Sequence, residues 1–424
     1  MTLVVLAALA GGLAFANAQQ GPRLTAAEAN PAAAIERAGQ RIVLHANQPI
    51  EEVDPAALRI EPDVGFAVDT EGATVTIQLE ETLRYGTEYT IAASVRGAFT
   101  GAEGELSTSL ATPDPEVYTL LRGAEPGADA TPADEDRIVR RGLVAPGGEE
   151  TVLSGHRIQE YAVVGERIAA ITLDAGGSPR LDVASMPAGG SGGADPDGGS
   201  EPSGASSGLG ADDSAPGAGA GFNAAPTDEV RLTPEGVERV SGLRGEPVTR
   251  LLGYVVEDLS DTGGRDYRDV LMIDDMNTDM STPTEITGHG GEPLAVREWR
   301  FVPGTAEVIV LSRDGGVYLA DALTAPAAEP LAADDPRRAV LEEPEAATRA
   351  RERFRPASDD STVGSYCLSP NGEYLAIEVI SAEGRPDGYP LRPGFTSTGV
   401  SFVRVADGEV VRRANGMLPD WCTG

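Results

Sequence analysis

The stretch YCLSPNGEYLAIEV, residues 366–379, decides how the C-terminal half of this chain is read. Tyr-Cys-Leu ends one strand, Ser-Pro-Asn-Gly turns, and Tyr-Leu-Ala-Ile-Glu-Val is a second run rich in β-formers. The Asn371-Gly372 pair supplies the positive φ angles that a tight hairpin requires. REWRFVPGTAEVIVLSRDGGVYLADA, residues 297–322, repeats the order strand, Pro-containing turn, strand, turn, strand, Asp-Ala. The later segment TGVSFVRVADGEVV, residues 398–411, completes the second copy in the same way. A unit of this kind buries its faces only against its neighbours, which is how propeller blades are built.

Working outward, further strand-like runs occur at 161–164, 168–172, 180–183, 250–256 and 270–273. Residues 137–424 are therefore expected to form a β-propeller-like domain of four or so units, incomplete or with few blades. Two segments interrupt it. Residues 188–226 hold a Gly/Ser/Asp/Pro-rich insertion whose composition cannot offset the entropy of ordering, so disorder is expected there. Residues 332–362 read as helical or irregular. Toward the N-terminus, short alternating runs at 42–44, 58–60, 75–79 and 89–92 are punctuated by Asn47-Gln48-Pro49, Glu61-Pro62-Asp63, Glu71-Gly72 and Tyr85-Gly86-Thr87. That spacing predicts an Ig-like β-sandwich over residues 40–114. The fold class expected for the whole is all-β, with an apolar N-terminal helix.

Two resemblances sit on these residues. NQPIEEVDPAALRIEP together with LEETLRYGTEYTIAAS resembles the bacterial Ig-like domain first described in S-layer proteins; this implies a spacer or binding module of the cell envelope, and no chemistry. Ser369-Pro370-Asn371-Gly372-Glu373-Tyr374-Leu375-Ala376 resembles the inner hairpin of TolB-like and WD-type propeller blades. The order of apolar N-terminus, GPRL, Ig-like domain, propeller and terminal Trp-Cys is similar to a family of actinobacterial envelope proteins.

The N-terminus carries an address. Residues 2–16, TLVVLAALAGGLAFA, are apolar on every face and uncharged, and Ala16-Asn17-Ala18 supplies a small-x-small cleavage pattern. Residues 1–18 are read as a signal peptide cut between Ala18 and Gln19, or as a retained single-pass anchor. A buried soluble helix is the third reading. Residues 19–39 then form a stalk, and the remainder lies outside the cytoplasm, either secreted or held at the cell membrane.

Composition excludes several function classes. All 33 basic residues are arginine, which removes the lysines of P-loops, Schiff-base enzymes and kinases. A net charge of −34 without a basic cluster argues against nucleic acid. Gly189-Gly190-Ser191-Gly192-Gly193 matches a hydrolase elbow by letters alone, inside a glycine-rich loop. His45, His156 and His289 show no metal-ligand spacing. Asp275, Asn277 and Asp279 copy the start of a calcium loop, but Met280 and Ile286 stand where a glycine and an acidic ligand are needed. Trp299 and Trp421 are read as core. No catalytic residue, metal ligand or cofactor is expected.

The chain has two cysteines, Cys367 and Cys422. In an exported protein an even count invites a disulfide, which would pin the tail beside the start of the last blade; two buried thiols are the alternative. The expected function is a non-catalytic, monomeric envelope protein whose propeller face binds a protein, peptide or glycan. The rivals are an enzyme or accessory subunit of a hydrolase with a site in the channel, and an architectural spacer.

Overall fold

The computed structural model describes residues 21–123, 135–144, 148–174, 176–186, 229–231, 237–258, 269–278 and 282–421. Residues 1–18, the Ala18–Gln19 bond, the insertion at 188–226, Asp279 and Cys422 lie outside the described residues. Among the described residues no helix is long and apolar enough to cross a membrane.

Strict alternation builds the N-terminal part. Thr74–Leu79 and Glu88–Arg96 bury every second side chain, as the period-2 pleat of a half-exposed strand demands. Four strands pair in the order Leu24–Glu28, Arg41–Ala46, Thr74–Leu79, Phe66–Glu71, and three in the order Leu58–Glu61, Glu88–Arg96, Glu103–Ala111. Leu44, Ile77, Ile91 and Leu106 from the two sheets share one core. The expected stalk is corrected here. Leu24–Glu28 pairs antiparallel with Arg41–Ala46, and Ala34 and Ile35 of the helix Pro31–Glu36 are buried in the sandwich. Asn30 caps that helix, its Oδ1 accepting from Ala33 N at 3.1 Å.

Beyond residue 115 the burial changes character. Arg167–Leu173 and Tyr374–Ile380 are buried almost without interruption, because neighbours cover both faces of their sheets. Among the described residues five antiparallel four-stranded sheets follow one another, against the four or so expected from the repeat. Sheet I holds Glu116–Leu121, Asp136–Gly142 and Glu150–Gly155, so the repeating part begins before residue 137. Sheet II runs from Glu160–Val164 to Glu229–Arg231, sheet III from Val237–Glu246 to Thr284–Glu285, sheet IV from Val296–Phe301 to Ala325–Pro330, and sheet V from Thr362–Leu368 to Val410–Asn415. The last strand, Met417–Asp420, returns to pair with Glu116–Leu121 and becomes the fourth strand of sheet I.

Successive sheets pack through apolar seams. Leu120 and Ile138 meet Val163 and Ile168; Val164 and Ile171 meet Leu252 and Tyr254; Leu271 and Ile273 meet Trp299 and Phe301. Gly253 is required at the third seam, since a Cβ there would lie 2.2 Å from Cη2 of Trp299. Sheet V closes on sheet I around Trp421, whose ring sits 5.5 Å from Phe402 and 6.3 Å from Tyr374. The seam between sheets IV and V is different: residues 331–361 lie along it. Arg337 Nη1 donates to Glu307 of sheet IV at 2.9 Å, and Arg351 Nη1 to the Tyr366 hydroxyl of sheet V at 2.8 Å. Ala347, Ala350 and Phe354 of the helix Glu345–Arg353 pack on Leu375, Ile377 and Val403. The irregular segment is thus a helical filler between two sheets.

The Ser-Pro-Asn-Gly turn differs in detail from expectation. Within it, positive φ occurs at Gly372 and not at Asn371. Gly372 N donates to Ser369 O at 2.8 Å, and Ser369 N to Tyr374 O at 2.8 Å. Those bonds describe a longer loop around a four-residue turn, where only the glycine needs the left-handed region. Val302–Glu307 repeats the outer bond, Val302 N to Glu307 O at 2.9 Å. The same turn also docks the sandwich: Asn371 Nδ2 donates to Leu83 O at 3.3 Å and Tyr85 N to Glu373 Oε2 at 3.1 Å.

Candidate functional site

In a four-stranded meander the first and third connections fall at one end of the sheet, and the second falls at the other with the link onward. The sandwich and the Ser369–Glu373 turn therefore share one end of the ring. The connection 381–397, second in sheet V, lies at the opposite end. It crosses to sheets I and II and is anchored there by a buried polar network. Arg122 pairs with Asp387, their side chains being 6% and 7% exposed, and its guanidinium stacks 3.8 Å above the Tyr389 ring. The Tyr389 hydroxyl donates to Asp136, with 2.6 and 2.7 Å to its two oxygens, which also accept from Gly123 N and Ile158 N. Burial raises the Asp136 pKa, against those three donors and the Arg122 charge. Gln159 Oε1 accepts from Leu391 N and Arg392 N at 3.1 and 3.2 Å.

This strap positions Arg392 over a cavity of about 310 Å³ at the centre of the ring. The inner strand of each of the five sheets contributes to its wall: Glu160–Val163, Gly242–Gly245, Arg300, Ser365–Cys367 and Leu418–Asp420. The charged lining is Arg244, Arg300 and Arg392 against Glu160 and Asp420. Glu160 Oε2 accepts from Leu243 N at 3.0 Å, and its other oxygen lies 3.7 Å from Arg392. Arg300 reaches Glu298 at 3.7 Å. Arg244 makes no hydrogen bond or ion pair among the described residues, and its Nε is buried without a partner. Burial, then the neighbouring charge of Arg300, brings the Arg244 pKa down to about 10. It is still a cation at neutral pH.

Cys367 lines the same cavity, its Sγ 3.3 Å from the Pro419 carbonyl oxygen, while Cys422 falls outside the described residues. Trp299 and Trp421 are core residues, 3% and 6% exposed. His45 lies at the sandwich surface, 3.5 Å from Glu28; His289 pairs at 2.6 Å with Glu329, both exposed. Asp275 Oδ1 accepts from Asn277 N and Nδ2 at 2.9 and 2.8 Å, so it closes a local turn. Among the described residues no His/Cys/Asp/Glu group could hold a metal. Sequence reasoning missed the three channel arginines. For Arg244 and Arg300 the signal was present in SGLRGEPV and REWRF: a long cation inside the first strand of a repeating unit, where apolar residues should dominate.

No protein-family model matches the chain, and no curated protein matches it by sequence. Among solved structures it is similar to an auxiliary nutrient binding protein from Bacteroides thetaiotaomicron at 11% identity, covering 95% of this chain and 73% of that one, TM-score 0.24. It is also similar to the N-terminal part of the bacterial S-layer protein SbsC at 13% identity, over 40% of this chain and 42% of that one, TM-score 0.18. Prolyl oligopeptidase B from Galerina marginata overlaps at 10% identity, over 90% of this chain and 52% of that one, TM-score 0.28. The chain therefore spans less than half of the S-layer fragment, and these overlaps add nothing to the sheet order already described.

Proposed function

We propose that this chain is a non-catalytic binding protein of the cell envelope, its five-sheet ring recognising a protein, peptide or glycan end at the central channel. The carrying observation is the polar cavity on which the inner strands of all five sheets converge, with three arginines facing it. Binding sites favour concave pockets with a few convergent polar groups. The two-sheet unit spanning residues 24–111 suits an Ig-like spacer that holds the ring away from an N-terminal anchor. Export is supported by the apolar run at 2–16 and by Cys367, beside Pro419 three positions before Cys422. A Cys367–Cys422 bridge would contribute about 4 kcal/mol in the chain-entropy model. Mass analysis of non-reduced peptides from exported protein should show these residues joined; two free thiols would contradict it. The binding role is tested with residues 19–424 as bait against intact envelopes. Capture should be lost when Arg244 and Arg300 are both replaced by glutamine. Capture that survives this double substitution would overturn the assignment of the channel.

A further inference from the structure

Resting on that reading, we infer that the channel selects a small carboxylate of net charge −1 carrying hydroxyl or ammonium donors, a sugar acid or acidic amino acid in chemical class. The chain holds 67 acidic against 33 basic residues, so carboxylate partners are abundant. Elsewhere arginines take them at close range: Arg140 to Glu150 at 2.6 Å, Arg337 to Asp335 at 2.8 Å, Arg141 to Glu149 at 3.0 Å. In the channel the nearest pairs stretch to 3.7 Å for Arg300 and Arg392, and Arg244 has none among the described residues. A cation drawn from water without a counter-charge is costly unless a ligand supplies one. A guanidinium fork matches a carboxylate with two parallel hydrogen bonds.

Charge sets the valence. The lining holds three arginines against Glu160 and Asp420, with Glu298 standing 3.7 Å from Arg300 behind it; at most one net positive charge faces the cavity, which a monoanion neutralises and a phosphate dianion overshoots. Glu160 keeps a carboxylate oxygen toward Arg392 at 3.7 Å, loose enough to accept from a ligand hydroxyl or ammonium. The cavity of about 310 Å³ suits a single sugar or amino acid.

The test uses the full chain and four probes measured by calorimetry: glucuronate, aspartate, glucose and inorganic phosphate. Glucuronate or aspartate should bind with at least about ten-fold higher affinity than glucose and phosphate. Arg244→Gln should weaken that binding by about ten-fold or more, the loss of one charge-assisted contact. Arg392→Gln, on the strap, provides a second arm should Arg244→Gln fail to fold. Phosphate binding as tightly as either carboxylate would overturn the class. So would no binding of either carboxylate at 10 mM (about the weakest affinity worth assigning), or equal binding by parent and variants. Failure here with envelope capture still dependent on Arg244 and Arg300 rejects the ligand class alone; loss of both rejects the channel as the site.

Discussion

Arg122 and Arg244 face opposite circumstances on one ring. Both terminal nitrogens of Arg122 are engaged, one by Asp387 and the other by the carbonyls of Gln159 and Arg392 at 3.2 and 2.9 Å. Arg244 shows no hydrogen bond or ion pair among the described residues; Nε is buried without a partner in both arginines, and the Arg244 guanidinium faces only the Trp299 ring at 5.9 Å. The first is a rivet: it holds residues 381–397 across sheets I and II. The second is a charge left waiting. A buried ion pair is costly to break and adds little by existing, whereas an unpaired cation is a cost from the outset. Folding therefore explains Arg122, whereas for Arg244 it supplies only a distant aromatic face, Trp299 at 5.9 Å.

The largest expected effect tests the rivet. Arg122→Ala strands Asp387 in a buried site and should cost about 3–5 kcal/mol in urea unfolding. A loss below one kilocalorie (about the worth of a surface pair) would make the strap decorative. Tyr389→Phe removes the hydroxyl from Asp136 but leaves its two backbone donors, so about 1.5–3 kcal/mol is expected. Next comes pH. The folded-state pKa of Asp136 is raised by burial. Its contribution is then complete below the unfolded value of about 3.9 and is lost as pH rises through the folded value. The stability gap between parent and Asp136→Asn should accordingly narrow as pH rises above about 4; widening would reverse the assignment. Smallest is Arg244→Gln, which should leave unfolding free energy within about 0.5 kcal/mol or raise it. A loss as large as that of Arg122→Ala would turn Arg244 into a second rivet.

The sequence carried the strands better than the connections. Ser369-Pro370-Asn371-Gly372 and Val302-Pro303-Gly304 announced two sheets because each side chain alternation is local. Leu24–Glu28 was hidden: its pairing with Arg41–Ala46 is set across an intervening helix, and its exposed face resembles a stalk. Glu116–Leu121 was hidden for a related reason, since its inner partner, Met417–Asp420, lies at the far end of the chain. The filler at 336–353 was legible as helical, yet its place between sheets IV and V depends on Glu307 and Tyr366, which no spacing connects to it. The strap network brings together Arg122, Asp136, Gln159 and Asp387 from three separate regions, and composition says nothing of such meetings. For the channel, Arg244 and Arg300 could have been noticed as cations within first strands, but Arg392 became a neighbour through its long-range bonds to Gln159 and Arg122.

The most direct measurement is an arginine side-chain NMR titration of the full chain with glucuronate, assigning Nε–H resonances with Arg122→Gln, Arg244→Gln and Arg300→Gln. The Arg244 and Arg300 signals should move together and saturate, with Arg122 unmoved in its pair with Asp387. Signals that stay fixed to saturating ligand, or an Arg122 shift matching that of Arg244, would contradict the division between the two arginines.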